Sequence, residues 1–184
     1  MTEYSFDRFA VLVVEDNSYL SSLLMQGLRA LGVGQIRTAR HGGEAIELLH
    51  LVKSQPGKAG VMTIDLILSN WLMSPVDGMM LLRWVRRHKE SPNRFMPFIM
   101  VTGYADRERV RQARDMGVTE MLTKPFSVQS IAQRIVQVIE RPRQFVHTSD
   151  YFGPDRRRQD LGPRRDGERR VTREDEIEIV YGER

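Results

Sequence analysis

The feature that most constrains the fold is a regular alternation of short apolar runs with amphipathic stretches over residues 9–140. The apolar runs are short and rich in β-branched residues, which predicts buried strands, and the stretches between them repeat apolar residues every three or four positions, which predicts helices. The predicted strands are residues 9–14, 35–39, 61–68, 97–101 and 118–122, and the predicted helices are residues 17–31, 43–51, 77–88, 106–116 and 127–139. Five strands that alternate with five helices predict an α/β fold with a parallel sheet covered on both faces.

Polar residues collect where these predicted strands end. Glu15 and Asp16 follow the first strand, Asn70 follows the third, Thr102 the fourth and Lys124 the fifth. In open parallel sheets, ligands bind outside the carboxyl ends of the strands. Two acids, a hydroxyl and a lysine at one sheet edge would form a phosphoryl-accepting pocket, but at its centre Asn70 places an amide where a nucleophile is expected.

The composition narrows the function classes. The chain contains no cysteine, which excludes disulfides and thiolate metal sites, and it has no apolar run of the length that a membrane span needs. The first residues do not resemble a signal peptide. We therefore expect a soluble cytoplasmic protein with no membrane partner. The net charge of +4 suggests nucleic acid as one alternative partner, although acids are interleaved with most of the arginines.

The last part of the chain differs in composition. We divide the chain into a domain at 8–140 and an arginine-rich, mostly disordered tail at 141–184, because the tail has few apolar residues to bury. Residues 176–181 alternate like a strand that could pair with a sheet edge or with a partner. Tyr151 and Phe152 precede an arginine cluster, and this segment is either a disordered extension or a short recognition element with aromatic anchors.

These motifs together resemble a response-regulator receiver domain, the phosphoacceptor module of two-component signalling. The resemblance rests on Glu15-Asp16, on the spacing from Asn70 to Asp77-Gly78, on the run from Thr102 to Ala105, and on Lys124-Pro125-Phe126. It implies a doubly wound (βα)5 flavodoxin-like fold with strand order 2-1-3-4-5.

The resemblance also implies a role for each position of the site. Glu15 and Asp16 would hold Mg²⁺, Asn70 occupies the phosphoacceptor position, Thr102 is the switch hydroxyl, and Lys124 is the cation, joined to Pro125 by an expected cis bond.

The chain departs from the family pattern in three places. Asn70 cannot act as a nucleophile, and its uncharged oxygen predicts weakened Mg²⁺ binding. Met121 stands where the family often has a rotating aromatic switch, and Pro75 lies one position later than the usual proline. Asp65 is no substitute for the missing aspartate, because it lies near the opposite end of its strand.

We therefore expect a bacterial, stand-alone pseudo-receiver that is not an enzyme and acts through contact with a sensor histidine kinase, a phosphotransfer protein or another signalling protein. Three origins for Asn70 stay open at this point: a natural residue, an engineered knockout of an active receiver, or a precursor of aspartate by deamidation, which Trp71 disfavours. The alternative function is an arginine-tailed nucleic-acid-binding protein that uses the receiver as a scaffold.

Overall fold

A five-stranded parallel sheet forms the centre of the protein. The computed structural model describes residues 6–60, 63–104, 106–156 and 178–180. The strand order is β2-β1-β3-β4-β5, which is the flavodoxin-like order expected from the sequence. The strands are β1 (Ala10–Val14), β2 (Gln35–Ala39), β3 (Leu66–Asn70), β4 (Phe98–Thr102) and β5 (Glu120–Thr123). Every residue of β1, β3 and β4 is buried, because helices cover both faces of the sheet.

The described residues contain six helices between or after these strands, one more than the sequence predicts. They are α1 (Ser18–Ala30), α2 (Gly42–Ser54), α3 (Pro56–Ala59), α4 (Gly78–Arg87), α5 (Arg107–Met116) and α6 (Val128–Glu140). The additional α3 is a single turn in a segment read as a loop; it begins with a proline at its first position and ends at Gly60 in the left-handed conformation. No helix in the described residues is long and apolar enough to cross a membrane.

The third strand begins and ends later than the sequence predicts. Residues 61 and 62 lie outside the described part of the chain, and pairing with β1 starts only at Leu66. Before that point, the Asp65 carboxylate accepts a hydrogen bond from the amide of Ala10. The strand therefore runs on to include Asn70, which fixes the backbone of the central site residue in the sheet.

Two apolar layers pack on the sheet, one on each face. One layer joins α1 and α6 through residues such as Leu24, Leu28 and Ile131. The other joins α2 and α4 through Leu49 and Leu82, and it also contains or contacts five methionines: Met79, Met96, Met100, Met116 and Met121. Both layers hold the strands rigidly, so the side chains at the strand ends have fixed positions.

The first part of the C-terminal tail is ordered, which corrects the sequence prediction for residues 145–154. Strands β6 (Phe145–His147), β7 (Phe152–Pro154) and β8 (Glu178–Val180) form a separate antiparallel sheet in the order β7-β6-β8. Phe145, Tyr151 and Phe152 are buried. The composition argument failed here because these aromatic rings do not need a core of their own; they pack against the receiver. The rest of the predicted disordered tail, residues 157–177 and 181–184, lies outside the described residues.

Candidate functional site

The carboxyl ends of β1, β3 and β5 place the site residues at one edge of the sheet, with β4 between β3 and β5. Glu15 directly follows β1, Asn70 is the last residue of β3, and Lys124 directly follows β5. Asp16 extends from the same turn as Glu15, just before Asn17 caps α1 by accepting a hydrogen bond from the amide of Leu20. Parallel pairing in register brings these strand ends together, as the sequence predicted from their positions.

The amide of Asn70 is the centre of a hydrogen-bond network. Its nitrogen donates to Glu15 Oε1 at 3.1 Å and to Asp16 Oδ1 at 3.2 Å, and it also donates to the carbonyl oxygen of Leu72 at 3.0 Å. Its oxygen accepts from Lys124 Nζ at 3.2 Å. This orientation is the one the neighbours dictate, because an ammonium group can only donate and ionised carboxylates can only accept.

Glu15 and Lys124 form an ion pair beneath the amide. Lys124 Nζ lies 2.8 Å from Glu15 Oε2, and the side chain of Glu15 is almost completely buried. Burial raises the pKa of the Glu15 carboxyl, and the hydrogen bonds from Lys124 and from the Asn17 amide oppose that rise. The lysine thus offsets one of the two acids in the pocket, and the amide of Asn70 satisfies the lone pairs that face it.

Thr102 and Lys124 are neighbours through their backbones. The amide of Lys124 donates to the carbonyl oxygen of Thr102 at 2.8 Å. The hydroxyl of Thr102 is engaged by its own loop, where it donates to the carbonyl oxygen of Tyr104 and accepts from the amide of Tyr104, both at 3.0 Å. The structure thus places Thr102 at the site but directs its hydroxyl to the loop backbone.

The remaining candidate residues frame the site without joining its network. Met121 is half-buried against the core, and Trp71 is buried in the same apolar layer. Lys124-Pro125 is a cis peptide as expected, and Ser74-Pro75 is cis as well. Asp65 bonds to the start of β1, at the opposite edge of the sheet.

Gly78 is a site-forming residue that the sequence analysis treated only as a helix start. A Cβ atom at this position would overlap the carbonyl group of Asn70 and crowd the sulfur of Met100. The first turn of α4 can therefore approach the end of β3 only because residue 78 has no side chain. The signal in the sequence was a glycine directly after Asp77, the residue that caps α4.

The donor set is a poor fit for Mg²⁺. A hard cation prefers several oxygen ligands, and the described residues contain no group of three or more acidic or histidine side chains that could hold a metal. The oxygen of Asn70 faces Lys124, while its nitrogen faces Glu15 and Asp16. Rotating the amide to offer its oxygen to a metal would turn its N–H groups toward the ammonium group, where two donors meet with no acceptor.

Comparisons with known proteins show which family and fold this chain resembles. The family of response regulator receiver domains matches this chain over residues 11–136. The chain is 30% identical over 131 residues to the chemotaxis protein CheY of Pseudomonas aeruginosa, covering 71% of this chain and 96% of the relative. It is also similar to the crystal structure of Vibrio cholerae CheY4, with 25% identity, a TM-score of 0.58, and coverage of 71% of this chain and 98% of that one.

A third similar structure is the receiver domain of the histidine kinase CKI1 from Arabidopsis thaliana, complexed with Mg²⁺ and BeF₃⁻. It is 25% identical, with a TM-score of 0.59, and the match covers 70% of this chain and 89% of that chain.

Proposed function

The chain belongs to the response-regulator receiver family, and on that premise we propose that it is a pseudo-receiver, which takes part in two-component signalling through protein contact and does not accept a phosphoryl group at residue 70. Receiver domains act with histidine kinases and phosphotransfer proteins, and these are the partner classes we propose for this chain. We propose no enzymatic role for it.

The observation that carries this proposal is the position of the Asn70 nitrogen between the two acids. It donates to Glu15 and Asp16 from hydrogen-bonding distance, while the oxygen of the same amide accepts from Lys124. A neutral amide thereby satisfies both acids and the lysine at once. These hydrogen bonds pair the four side chains with one another, which supports a pocket that forms without phosphorylation.

The chemistry of the amide supports the same conclusion. Phosphoryl transfer requires an oxygen that can attack phosphorus with an available electron pair. The nitrogen electron pair of an amide is delocalised into its carbonyl, and here the two N–H groups are shared among three acceptor oxygens. The Asn70 oxygen is uncharged and is held by the ammonium group of Lys124. Neither atom offers a charged nucleophile.

A surface for protein contact lies next to the site on α5, β5 and α6. Tyr104, Val110 and Val128 are large exposed side chains in this region. The guanidinium group of Arg109 lies 4.6 Å from the centre of the Tyr104 ring, and Arg111 pairs with Glu108 on the same helix. Exposed aromatic and arginine side chains of this kind are enriched at protein interfaces, so we propose this face as the contact with the signalling partner.

The test compares the unmodified protein with its Asn70→Asp variant, each in Mg²⁺ with a small phosphodonor or with beryllofluoride. We expect no covalent labelling of the unmodified protein, and we expect labelling of the variant at residue 70, measured by intact mass and peptide mapping. Asn93→Asp is a matched control, because Asn93 is exposed and its side chain only accepts a bond from the Phe95 amide. Labelling of the unmodified protein would refute the proposal, and a variant that does not respond would show that more than the nucleophile has been lost.

A further inference from the structure

Arg86, at the end of α4, is fully buried at the amino edge of the sheet, opposite the Asn70 site. Its guanidinium group donates to the carbonyl oxygens of Gly117, Arg94 and Met96 at 2.9, 2.8 and 2.7 Å. It also lies 3.4 Å from the hydroxyl of Thr119. Met96 precedes β4, and Gly117 and Thr119 precede β5. Arg86 therefore ties the end of α4 to the start of both strands, and burial lowers the pKa of its guanidinium group to about 9.

The C-terminal hairpin of β6 and β7 covers this arginine. The Arg86 guanidinium carbon lies 5.2 Å from the centre of the Phe145 ring, and the Arg94 guanidinium carbon lies 3.4 Å from the centre of the Phe152 ring. Phe95 of the receiver forms edge contacts with both of these rings, at centroid distances of 5.1 and 5.3 Å. Rings from the tail and guanidinium groups from the receiver thus form one cation–π cluster.

The two backbones meet where both carry glycine. A Cβ atom on Gly153, in the middle of β7, would lie 2.8 Å from Gly117 Cα and would also crowd the hydroxyl of Tyr151. Gly117 itself has φ of +93°, which side-chain-bearing residues rarely adopt. Tyr151 is buried beside this contact, and its hydroxyl donates to the carbonyl oxygen of Pro154 at 2.7 Å. The order aromatic, aromatic, glycine, proline in residues 151–154 therefore matches the shape of the surface that it covers.

Further hydrogen bonds hold the segment at its margins. Arg87 donates to the carbonyl oxygen of Asp150 at 3.3 Å, and Arg143 donates to the carbonyl oxygen of Thr119 at 3.4 Å. Arg156 pairs with Asp115 of α5 at 3.3 Å. Contacts therefore surround the aromatic centre, an arrangement that excludes water from the central groups of an interface.

We propose that the base of the receiver, formed by Arg86, Arg94, Phe95 and Gly117, is a peptide-docking site, and that its ligand is the hairpin of residues 144–155 of the same chain. The recognition chemistry is an aromatic-glycine-proline strand that lays the Phe145 ring on the buried Arg86 and the Phe152 ring on Arg94, which lies at the surface. An isolated two-stranded hairpin is marginal in water, and β8 adds only three paired residues to it, so we attribute the folding of this segment mainly to its docking. Docking is separable from receiver folding, because the two apolar layers of the receiver contain none of the tail rings.

The first experiment opens the site in the full-length chain with Gly153→Ala and, independently, with Phe152→Ala. We expect hydrogen exchange of the Thr148 and Asp155 amides, which bond within the hairpin, and of Arg86 Nε to accelerate at least tenfold in both variants. The Trp71 amide, bonded to Val101 in the central sheet, keeps its slow exchange. Gly57→Ala is the matched control, because a Cβ atom there meets nothing within 4 Å. If the Thr148 and Trp71 amides exchange at the same rate in both variants, the hairpin opens only with global unfolding, and the proposal is overturned.

The second experiment supplies the ligand in trans, as a labelled synthetic peptide of residues 144–155. We expect the peptide to bind saturably to the Phe152→Ala protein and to restore the slow exchange of Arg86 Nε. The unmodified protein should bind at least tenfold more weakly, because its own hairpin occupies the site at high effective concentration. A peptide that carries Phe152→Ala should not bind. Equal binding of both peptides, or no binding of the native peptide to the opened protein, would overturn the proposal.

Discussion

Replacing Asn70 with aspartate exchanges a neutral donor for a negative charge at the centre of the pocket. The amide nitrogen lies 3.1 Å from a Glu15 oxygen and 3.2 Å from an Asp16 oxygen, and a carboxylate oxygen would take its place. Two unit charges about 3 Å apart interact by about 5 kcal/mol at an effective dielectric constant of about 20. Two such repulsions against one added attraction to Lys124 leave a net cost of about 5 kcal/mol.

Two effects reduce this cost. The cluster can take up a proton, which removes one of the repelling negative charges at a cost of about 1.4 kcal/mol for each pH unit above the ordinary pKa of a carboxyl group. Asp16 is exposed, so solvent and salt screen its repulsion with a carboxylate at residue 70. We therefore expect Asn70→Asp to lower the free energy of unfolding by about 2–4 kcal/mol in a chelator, which is about 5–15 °C in melting temperature for a chain of this size.

Mg²⁺ should offset this loss of stability in the variant. The variant presents three carboxylates to the cation, so millimolar Mg²⁺ should recover most of the lost stability, while the unmodified protein should shift much less. Differential scanning calorimetry of both proteins, with and without Mg²⁺, measures this directly, and Asn93→Asp controls for the change of side chain. If the variant and the unmodified protein melt together in chelator, or if Mg²⁺ raises both midpoints equally, the amide does not hold the two acids together and the reasoning fails.

Three further substitutions test the site. Burial raises the pKa of Glu15 above 4.5, so the stability that this raised pKa contributes is present below that pH and is lost as pH rises through the folded pKa. In urea titrations, the stability of Glu15→Gln relative to the unmodified protein should therefore increase from about pH 4 to about pH 7. A constant or falling difference in stability would contradict the assignment. Lys124→Met leaves the buried Glu15 carboxylate without its cation and should lower the free energy of unfolding, measured in urea at neutral pH, by about 3 kcal/mol. A decrease below about 1 kcal/mol, the value of a surface pair, would show that the ion pair is solvated. Gly78→Ala forces a methyl group against the carbonyl of Asn70 and should lower the melting temperature by several degrees, whereas Gly57→Ala should not; equal midpoints would show that α4 can move away from β3 freely.

The site could be predicted from the sequence because it depends on strand ends. Parallel strands share a carboxyl edge, so locating the ends of β1, β3, β4 and β5 was enough to bring Glu15, Asn70 and Lys124 together before any coordinates were known. The sequence also showed directly that residue 70 is an asparagine and therefore lacks the carboxylate of a phosphoacceptor. The direction of the Thr102 hydroxyl was not predictable, because it depends on the path of the loop that carries Tyr104.

The orientation of the Asn70 amide also needed the structure. Its nitrogen could point to the acids or to the lysine, and only the positions of Lys124 Nζ and the two carboxylates decide between these choices. The sequence predicted a site with weakened metal binding. The orientation of the amide shows instead that the side chains of the pocket bond to one another.

The sequence by itself determined the alternating strands and helices and the residues at the carboxyl ends of the strands, because hydrophobic periodicity is local. The receiver fold and its strand order were implied by the resemblance of those residues to the family motifs. Only the tertiary structure decided whether residues 145–154 form strands. Their rings are too few to form a core, and they fold because Arg86, Phe95 and Gly117, which are distant in sequence, together form a surface that buries them.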